Sequence, residues 1–240
     1  MKKYLFFSLV ALLFVACTPN PSRPQPQLNS KCIYYTATAK VEANSDFPWT
    51  FDTFGANVVS HEWNSESGKG VITFDADVTT IGEGAFNECD SLTDITIPDS
   101  VTTIGNDAFC DCDSLTSIMI LDSVTTIGNS AFCGCDSLTS IIILDGVTTI
   151  GDYAFAYCNS LTSITIPDSV TTIGEWAFRE CKSLKRVYCK ATTPPSLGGS
   201  FVFYDNAYDR TIYVPAASVW AYKTAYYWCW YADAIEDYDF

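Results

Sequence analysis

Eleven cysteines, a single histidine, and 28 acidic against 13 basic side chains are the reactive groups of this 240-residue chain. Cys89, Cys112, Cys135, Cys158 and Cys181 recur every 23 residues, and Cys110 and Cys133 each stand two residues before a member of that series. Cys110-x-Cys112 and Cys133-x-Cys135 have the spacing of zinc half-sites, and zinc needs donors that converge. The surrounding A-F-x-x-C pattern turns the periodic cysteines to one side and Cys110 and Cys133 to the other. These thiolates do not converge, and no metal site is expected. Asp90, Asp113 and Asp136 form one acidic column in the same register, and Asp99, Asp122, Asp145 and Asp168 form another. Calcium takes about six to eight oxygens; neither column carries a liganding loop, so solvated turn residues are the reading. His61 has no second histidine to work with. The chain shows no Ser-His-Asp set, no H-E-x-x-H and no glycine-rich phosphate loop. We expect no catalytic residue and no cofactor, with His61 in a loop or cap.

The elements behind these spacings come from one phrase, V-T-T-I-G-x-x-A-F-x-x-C-x-S-L-T-x-I-x-I, written five times between Val78 and Lys190. Val78, Val101, Val124, Val147 and Val170 open the copies, and the positions of Gly82, Phe86 and Leu92 keep phase in each. An unvarying period in the twenties specifies a solenoid. One coil is too small to bury its own apolar residues and buries them against the coils above and below. Alternation turns Ile95 and Ile97 inward and Asp94 and Thr96 outward on a short parallel strand. Val78 and Ile81 cannot share a face of a flat strand, so V-T-T-I must bend, and Gly82 suits the corner because no Cβ needs room. Ala85, Phe86 and Cys89 fit one helical turn directed inward. The predicted fold is a β-rich α/β solenoid of five 23-residue leucine-rich coils. It has parallel strands, short helical turns, a β-rich N-terminal cap and a helical C-terminal cap.

The phrase I-G-x-x-A-F-x-x-C-x-S-L-T-S-I-x-I-P-x-S-V resembles the BspA-like leucine-rich repeats of bacterial surface proteins, over residues 78–190. The lead-in segments Phe54–Ser60 and Gly68–Asp75, and the tail Thr211–Ala225, also resemble that family's flanking segments. The resemblance implies adhesion or partner binding at the cell envelope and no catalysis. It carries over no binding residue.

Lys2 and Lys3 precede an apolar run from Tyr4 to Ala16, interrupted only by Ser8. The run is too short to span a bilayer comfortably and reads as a secretory signal over residues 1–16. Ala16-Cys17 resembles the bacterial lipoprotein cleavage site, with Phe14 where leucine is usual. That resemblance implies lipidation of Cys17; the alternative is an ordinary secretory signal. The expected location is the cell envelope, as a surface-exposed outer-membrane lipoprotein, although the residues after Cys17 carry no acidic export signal. Residues 17–31 hold Pro19, Pro21, Pro24 and Pro26 and form an extended spacer. Residues 32–77 lack the repeat and read as the N-terminal cap, 78–190 as the repeats and 191–240 as the C-terminal cap, with Pro194-Pro195 breaking the phase. Ala216–Trp230 has helical composition and puts Trp220, Tyr227 and Tyr231 on one face. That face packs on the last coil or, if its rings are exposed, offers a platform for carbohydrate stacking. In the oxidising envelope, Cys110 and Cys133 lie about 5 Å apart in stacked coils, close enough for a disulfide.

Without Lys2 and Lys3 the chain keeps 11 basic and 28 acidic side chains, a net charge of −17. That argues against nucleic acid and anionic membrane surfaces as partners. The outward strand column reads Thr96, Met119, Ile142, Thr165 and Tyr188. One flanking column holds Ser117, Ser140 and Arg186, the other Leu121, Leu144 and Lys190. Coils two and three thus gather Met119, Leu121, Ile142 and Leu144 into one apolar patch, with Thr96, Thr165, Arg186 and Tyr188 at its margins. An apolar patch with a polar rim marks an interaction site. The plainer reading is that isoleucine and methionine suit a strand, or that the leucines tuck under a loop. Two functions fit. One is an adhesin-like binding module that takes a protein, such as host extracellular matrix, or a glycan on its strand face. The other is a structural or assembly subunit of the envelope with no dedicated ligand site.

Overall fold

Each copy of the repeat makes a two-residue strand, a run of turns and a longer strand. The computed structural model describes residues 29–42 and 49–240; the expected signal 1–16, Cys17 and most of the spacer 17–31 lie outside the described residues. Thr80–Ile81, Thr103–Ile104, Thr126–Ile127, Thr149–Ile150 and Thr172–Ile173 pair in parallel, each residue beside its counterpart in the next copy. The repeat glycine follows each pair because neighbouring backbones nearly touch there. A Cβ on Gly105 would lie 2.7 Å from the carbonyl carbon of Gly82, and one on Gly128 2.5 Å from that of Gly105. Close approach, and not a left-handed backbone, demands glycine at this corner.

The turn run divides its N–H groups between two tasks. Ala85, Asn87 and Cys89 donate three residues back, at 3.1–3.3 Å, while Gly84, Phe86 and Glu88 donate to Asn106, Ala108 and Cys110 of the next copy at 2.8–2.9 Å. Two positions per copy are left-handed: Gly84, Asp107, Ser130, Tyr153 and Trp176 at the first, and Glu88, Asp111, Gly134, Tyr157 and Glu180 at the second. A left-handed residue interrupts a right-handed helix, so the expected helical turn is instead a chain of reverse turns. The inward aim of Ala85, Phe86 and Cys89 survives the change.

The core is a set of ladders. Phe86, Phe109, Phe132, Phe155, Phe178 and Phe203 stack at 5.1–5.4 Å with near-parallel rings. Each such pair contributes about 0.5–1.5 kcal/mol beyond simple burial. The periodic cysteines do more than fill space. Cys112, Cys135, Cys158 and Cys181 each donate an S–H to the carbonyl of Phe86, Phe109, Phe132 and Phe155 in the preceding coil, at 3.0–3.1 Å. Burial pushes the Cys181 thiol up to about 12. Threonine hydroxyls form a parallel ladder, from Thr102 to the Thr79 carbonyl and onward through Thr125, Thr148 and Thr171.

Stacking continues beyond Lys190. Ser196–Leu197 pairs with Thr172–Ile173, and Thr211–Pro215 pairs with Arg186–Cys189. The offsets widen from 23 residues to 24 between Thr172 and Ser196 and to 25 between Phe178 and Phe203. A sixth, wider coil therefore opens the segment 191–240, with one extra residue in the loop around Pro194-Pro195 and a second between Leu197 and Phe203.

Both ends are closed by backbone and side-chain groups that stand in for a missing coil. At the N-terminal end the helix Phe51–Phe54 offers the Thr53 carbonyl to the Gly82 N–H at 2.6 Å and the Phe54 carbonyl to Thr79 at 3.0 Å. Trp49 Nε1 donates to the Ala85 carbonyl at 2.7 Å. The strand Cys32–Ala37 pairs antiparallel with Leu92–Thr96 on one side and Lys69–Phe74 on the other, and Val58–Asn64 completes the hairpin. His61 sits in this cap, with Nε2 at 2.7 Å from the Tyr35 hydroxyl.

At the other end the expected helix over Ala216–Trp230 is broken. It consists of a 3-10 turn at Ala216–Ser218, a helix at Val219–Thr224 and a 3-10 turn at Trp228–Ala234, with Tyr227 left-handed between the last two. The break changes which rings face inward: Tyr222 and Trp228 are buried, and Trp220 is exposed. Tyr222 donates to the Ala191 carbonyl at 2.8 Å, Trp228 Nε1 to Pro195 at 2.7 Å and Tyr231 to Ser200 at 2.6 Å. These carbonyls belong to the sixth coil, which no further coil covers. A last strand, Ile235–Tyr238, runs parallel to Thr211–Pro215.

Candidate binding face

The longer strands Leu92–Thr96, Ser117–Ile120, Ser140–Ile143, Ser163–Ile166 and Arg186–Cys189 follow the alternation of their sequences. Isoleucine or valine points to the ladders, and the residues between point outward. Met119 is directly opposite Ile142 and is 41% exposed. Leu121 and Leu144, two residues further on, are half-buried, whereas Pro98 and Pro167 at the equivalent sites are buried. The four apolar residues expected to form a patch thus lie on one face of two adjacent coils.

The cap lengthens this face. Tyr34 is opposite both Thr96 and Val71, and Val71 is opposite Glu62. One outward row therefore runs Glu62, Val71, Tyr34, Thr96, Met119, Ile142. The neighbouring row is polar throughout: Asn64, Lys69, Thr36, Asp94, Ser117, Ser140. With strands about 4.8 Å apart, each row spans roughly 24 Å. A shallow cleft of about 400 Å³ lies where both rows reach the cap, between Tyr34, Glu62, Lys69 and Val71. Partial burial raises the Asp94 carboxyl, against the lowering effect of the Ser117 hydroxyl at 3.4 Å. Tyr34 and Val71 were missed because they lie outside the repeat. The place of Tyr34 depends on antiparallel pairing with Val71, 37 residues away, and with Thr96, 62 residues away.

The remaining candidates lie elsewhere on the face. Among the described residues no strand pairing joins Ser140–Ile143 to Ser163–Ile166, and a second sheet of four strands begins at Ser163. Thr165 and Tyr188 are paired in this second sheet, and Arg186 is exposed beside them. Tyr188 is held by its own chain: it stacks on Tyr213 at 4.9 Å and meets Tyr238 edge-on at 5.2 Å. It belongs to an aromatic cluster at the C-terminal end, separate from the Met119 patch. Cys110 and Cys133 are in the turn runs, away from the strands. The acidic columns serve partly as backbone acceptors, as where Asp145 N–H donates to Asp122 Oδ1 at 3.1 Å. Asp113 is raised by burial and by Asp90 and Asp136 beside it.

A family profile described as a BspA type leucine-rich repeat region matches residues 69–185, in six copies. No curated protein sequence matches the chain. Among solved structures it is similar to a leucine-rich repeat protein from Bacteroides ovatus, at 30% identity over 65% of this chain and 45% of that one, with a TM-score of 0.47. It is similar to a leucine-rich cell surface protein from Faecalibacterium prausnitzii at 25% identity, over 90% and 55% of the two chains, with a TM-score of 0.47. A leucine-rich repeat protein from Eubacterium ventriosum is 22% identical over 62% and 42%, with a TM-score of 0.50, and shares the fold. The matched parts cover about half the length of those proteins.

Proposed function

We propose that this chain, whose residues 69–185 match the profile of a BspA type leucine-rich repeat region, is a non-enzymatic, adhesin-like module that binds a protein partner on the face of its longer strands. One observation carries the reading. The apolar row through Val71, Tyr34, Met119 and Ile142 lies beside an unbroken polar row, across both the cap and the repeats. Apolar contact supplies affinity at such a surface and the hydrogen-bonding row supplies register. The row carries a single ring, Tyr34, among aliphatic side chains, which favours a protein over a glycan. Cys17 carries a lipid that holds the module at the outer membrane, with residues 17–31 as spacer. Loss of lipid labelling and of membrane partitioning in Cys17→Ser tests the anchor; an unchanged Cys17→Ser protein would refute it.

The binding test is the double variant Met119→Ser with Ile142→Thr, assayed against immobilised extracellular-matrix proteins and, in parallel, a glycan array. Both side chains point away from the ladders, so the variant should fold. Binding to a matrix protein should weaken about tenfold or more. Binding that survives the double change, or binding to glycans only, would remove the strand face as a protein site.

A further inference from the structure

The turn runs hold a second feature, independent of the strand face. At the position of Cys110 the copies read Asn87, Cys110, Cys133, Ala156 and Arg179, so a thiol follows a thiol only between coils two and three. Ladder bonds on either side hold the two backbones at coil spacing: Phe109 N–H donates to Ala131 and Asp111 N–H to Cys133, both at 2.8 Å. The two thiols are neighbours that shift one another's titration, both are only half-buried, and the Cys110 S–H donates to Asp111 Oδ2 at 3.4 Å. The periodic cysteines are also stacked thiol over thiol, but Cys112, Cys135, Cys158 and Cys181 are fully buried and spend their S–H groups on phenylalanine carbonyls.

We propose that Cys110 and Cys133 are oxidised to a disulfide that joins the second coil to the third. Coil spacing of about 4.8 Å falls within the Cα separation a disulfide bridges. The oxidant is a small-molecule disulfide or the disulfide of an exchange enzyme, which accepts two electrons. Cys133 is the attacking thiolate. The neighbouring Cys110 thiol lowers the pKa of Cys133, whereas Cys133, burial and the Asp111 carboxylate, whose Oδ2 accepts the Cys110 S–H at 3.4 Å, raise that of Cys110. The Cys133 thiolate attacks one sulfur of the oxidant, forming a mixed disulfide and releasing the other half as a thiolate, which takes up a proton. Cys110 then loses its proton to solvent, attacks the Cys133 sulfur and displaces the second half as a thiol. One protein S–S bond replaces the oxidant's S–S bond, and two thiol hydrogens leave the protein.

Equilibration of the full chain with oxidised glutathione, followed by alkylation and non-reducing peptide mapping, tests this. The expected product is lighter than the reduced protein by two hydrogens. It yields a peptide cross-linked between Cys110 and Cys133, with the ladder thiols still free after denaturation. In Cys110→Ala the resolving thiol is absent, and Cys133 should retain a stable glutathione adduct. The oxidised protein should also unfold at a higher temperature than the reduced one, and the Cys110→Ala, Cys133→Ala double variant should not respond to oxidant. Both thiols remaining free at equilibrium, a persistent glutathione adduct on the wild-type chain, or cross-links to Cys229 instead would overturn the proposal.

Discussion

A cysteine in the ladder position does two jobs that serine and alanine each do by halves. Cys135 is fully buried beside Phe109 and Phe132, and its S–H reaches the Phe109 carbonyl at 3.1 Å. Alanine would keep the apolar environment but leave that carbonyl without its side-chain donor, at a cost of about 1–3 kcal/mol for an unsatisfied buried group. Serine would keep a donor at the same point. Denaturant unfolding of Cys135→Ala and Cys135→Ser should therefore rank serine as the milder change. The reverse order would mean that the thiol acts only as a small apolar filler. The same residue shows where sequence reading stops: its inward direction follows from spacing to Phe132, but the hydrogen bond to the coil below follows only from the stacked geometry.

The elements differ in how far the sequence determines them. The longer strands were legible because period-2 alternation survives in every copy. The turn run was not, because inward spacings of three and four suit a helical turn and a chain of reverse turns alike. Only backbone handedness separates the two. Gly84, Asp107 and Ser130 suit a left-handed position, but Tyr153 and Trp176 adopt it too. A non-glycine residue there costs roughly 1–2 kcal/mol. Stacking of Tyr153 on Trp176 at 6.1 Å and of Trp176 on Phe201 at 4.8 Å offsets part of that. The caps were legible only in outline, since their register rests on pairing between distant segments. His61 gives the N-terminal cap a measurable signature. It is hydrogen-bonded to Tyr35 and packed 5.2 Å from Trp49. Burial, then Lys40, lowers its pKa, and Glu42, paired with Lys40, opposes the shift. A lowered pKa means that the unfolded chain takes up the proton first. The stability His61 confers is present above the ordinary histidine range near pH 6.5 and is lost as pH falls towards the folded value. His61→Gln should lose less stability than wild type between about pH 7 and pH 5.5. Equal losses in the two proteins would place the pH sensitivity elsewhere.

At the scale of the molecule, a solenoid joins each coil only to its neighbours, so its integrity rests on phase more than on any one coil. The sixth coil shows this. It carries one extra residue before Ser196 and a second before Phe203, yet Leu197 pairs with Ile173 and Phe203 stacks on Phe178. Removal of residues 147–169, one full period of 23, should therefore leave a folded protein. Gly146 would lead into Val170, as Ser169 does now, Phe132 would stack on Phe178, and Thr126–Ile127 would pair with Thr172–Ile173. The cut also removes Ser163–Ile166, where the longer-strand sheet is divided, and brings Ser140–Ile143 beside Arg186–Cys189. Unfolding in urea should stay cooperative, with a lower midpoint because one coil and one net interface are gone. Removal of residues 147–158 instead would keep the fourth coil's strand but delete its valine, glycine, phenylalanine and cysteine, leaving gaps in four ladders at once. That variant should lose its cooperative transition. If the whole-coil deletion also fails to fold, the fourth coil holds the stack together through contacts that its neighbours cannot replace, and the nearest-neighbour account of this molecule is wrong.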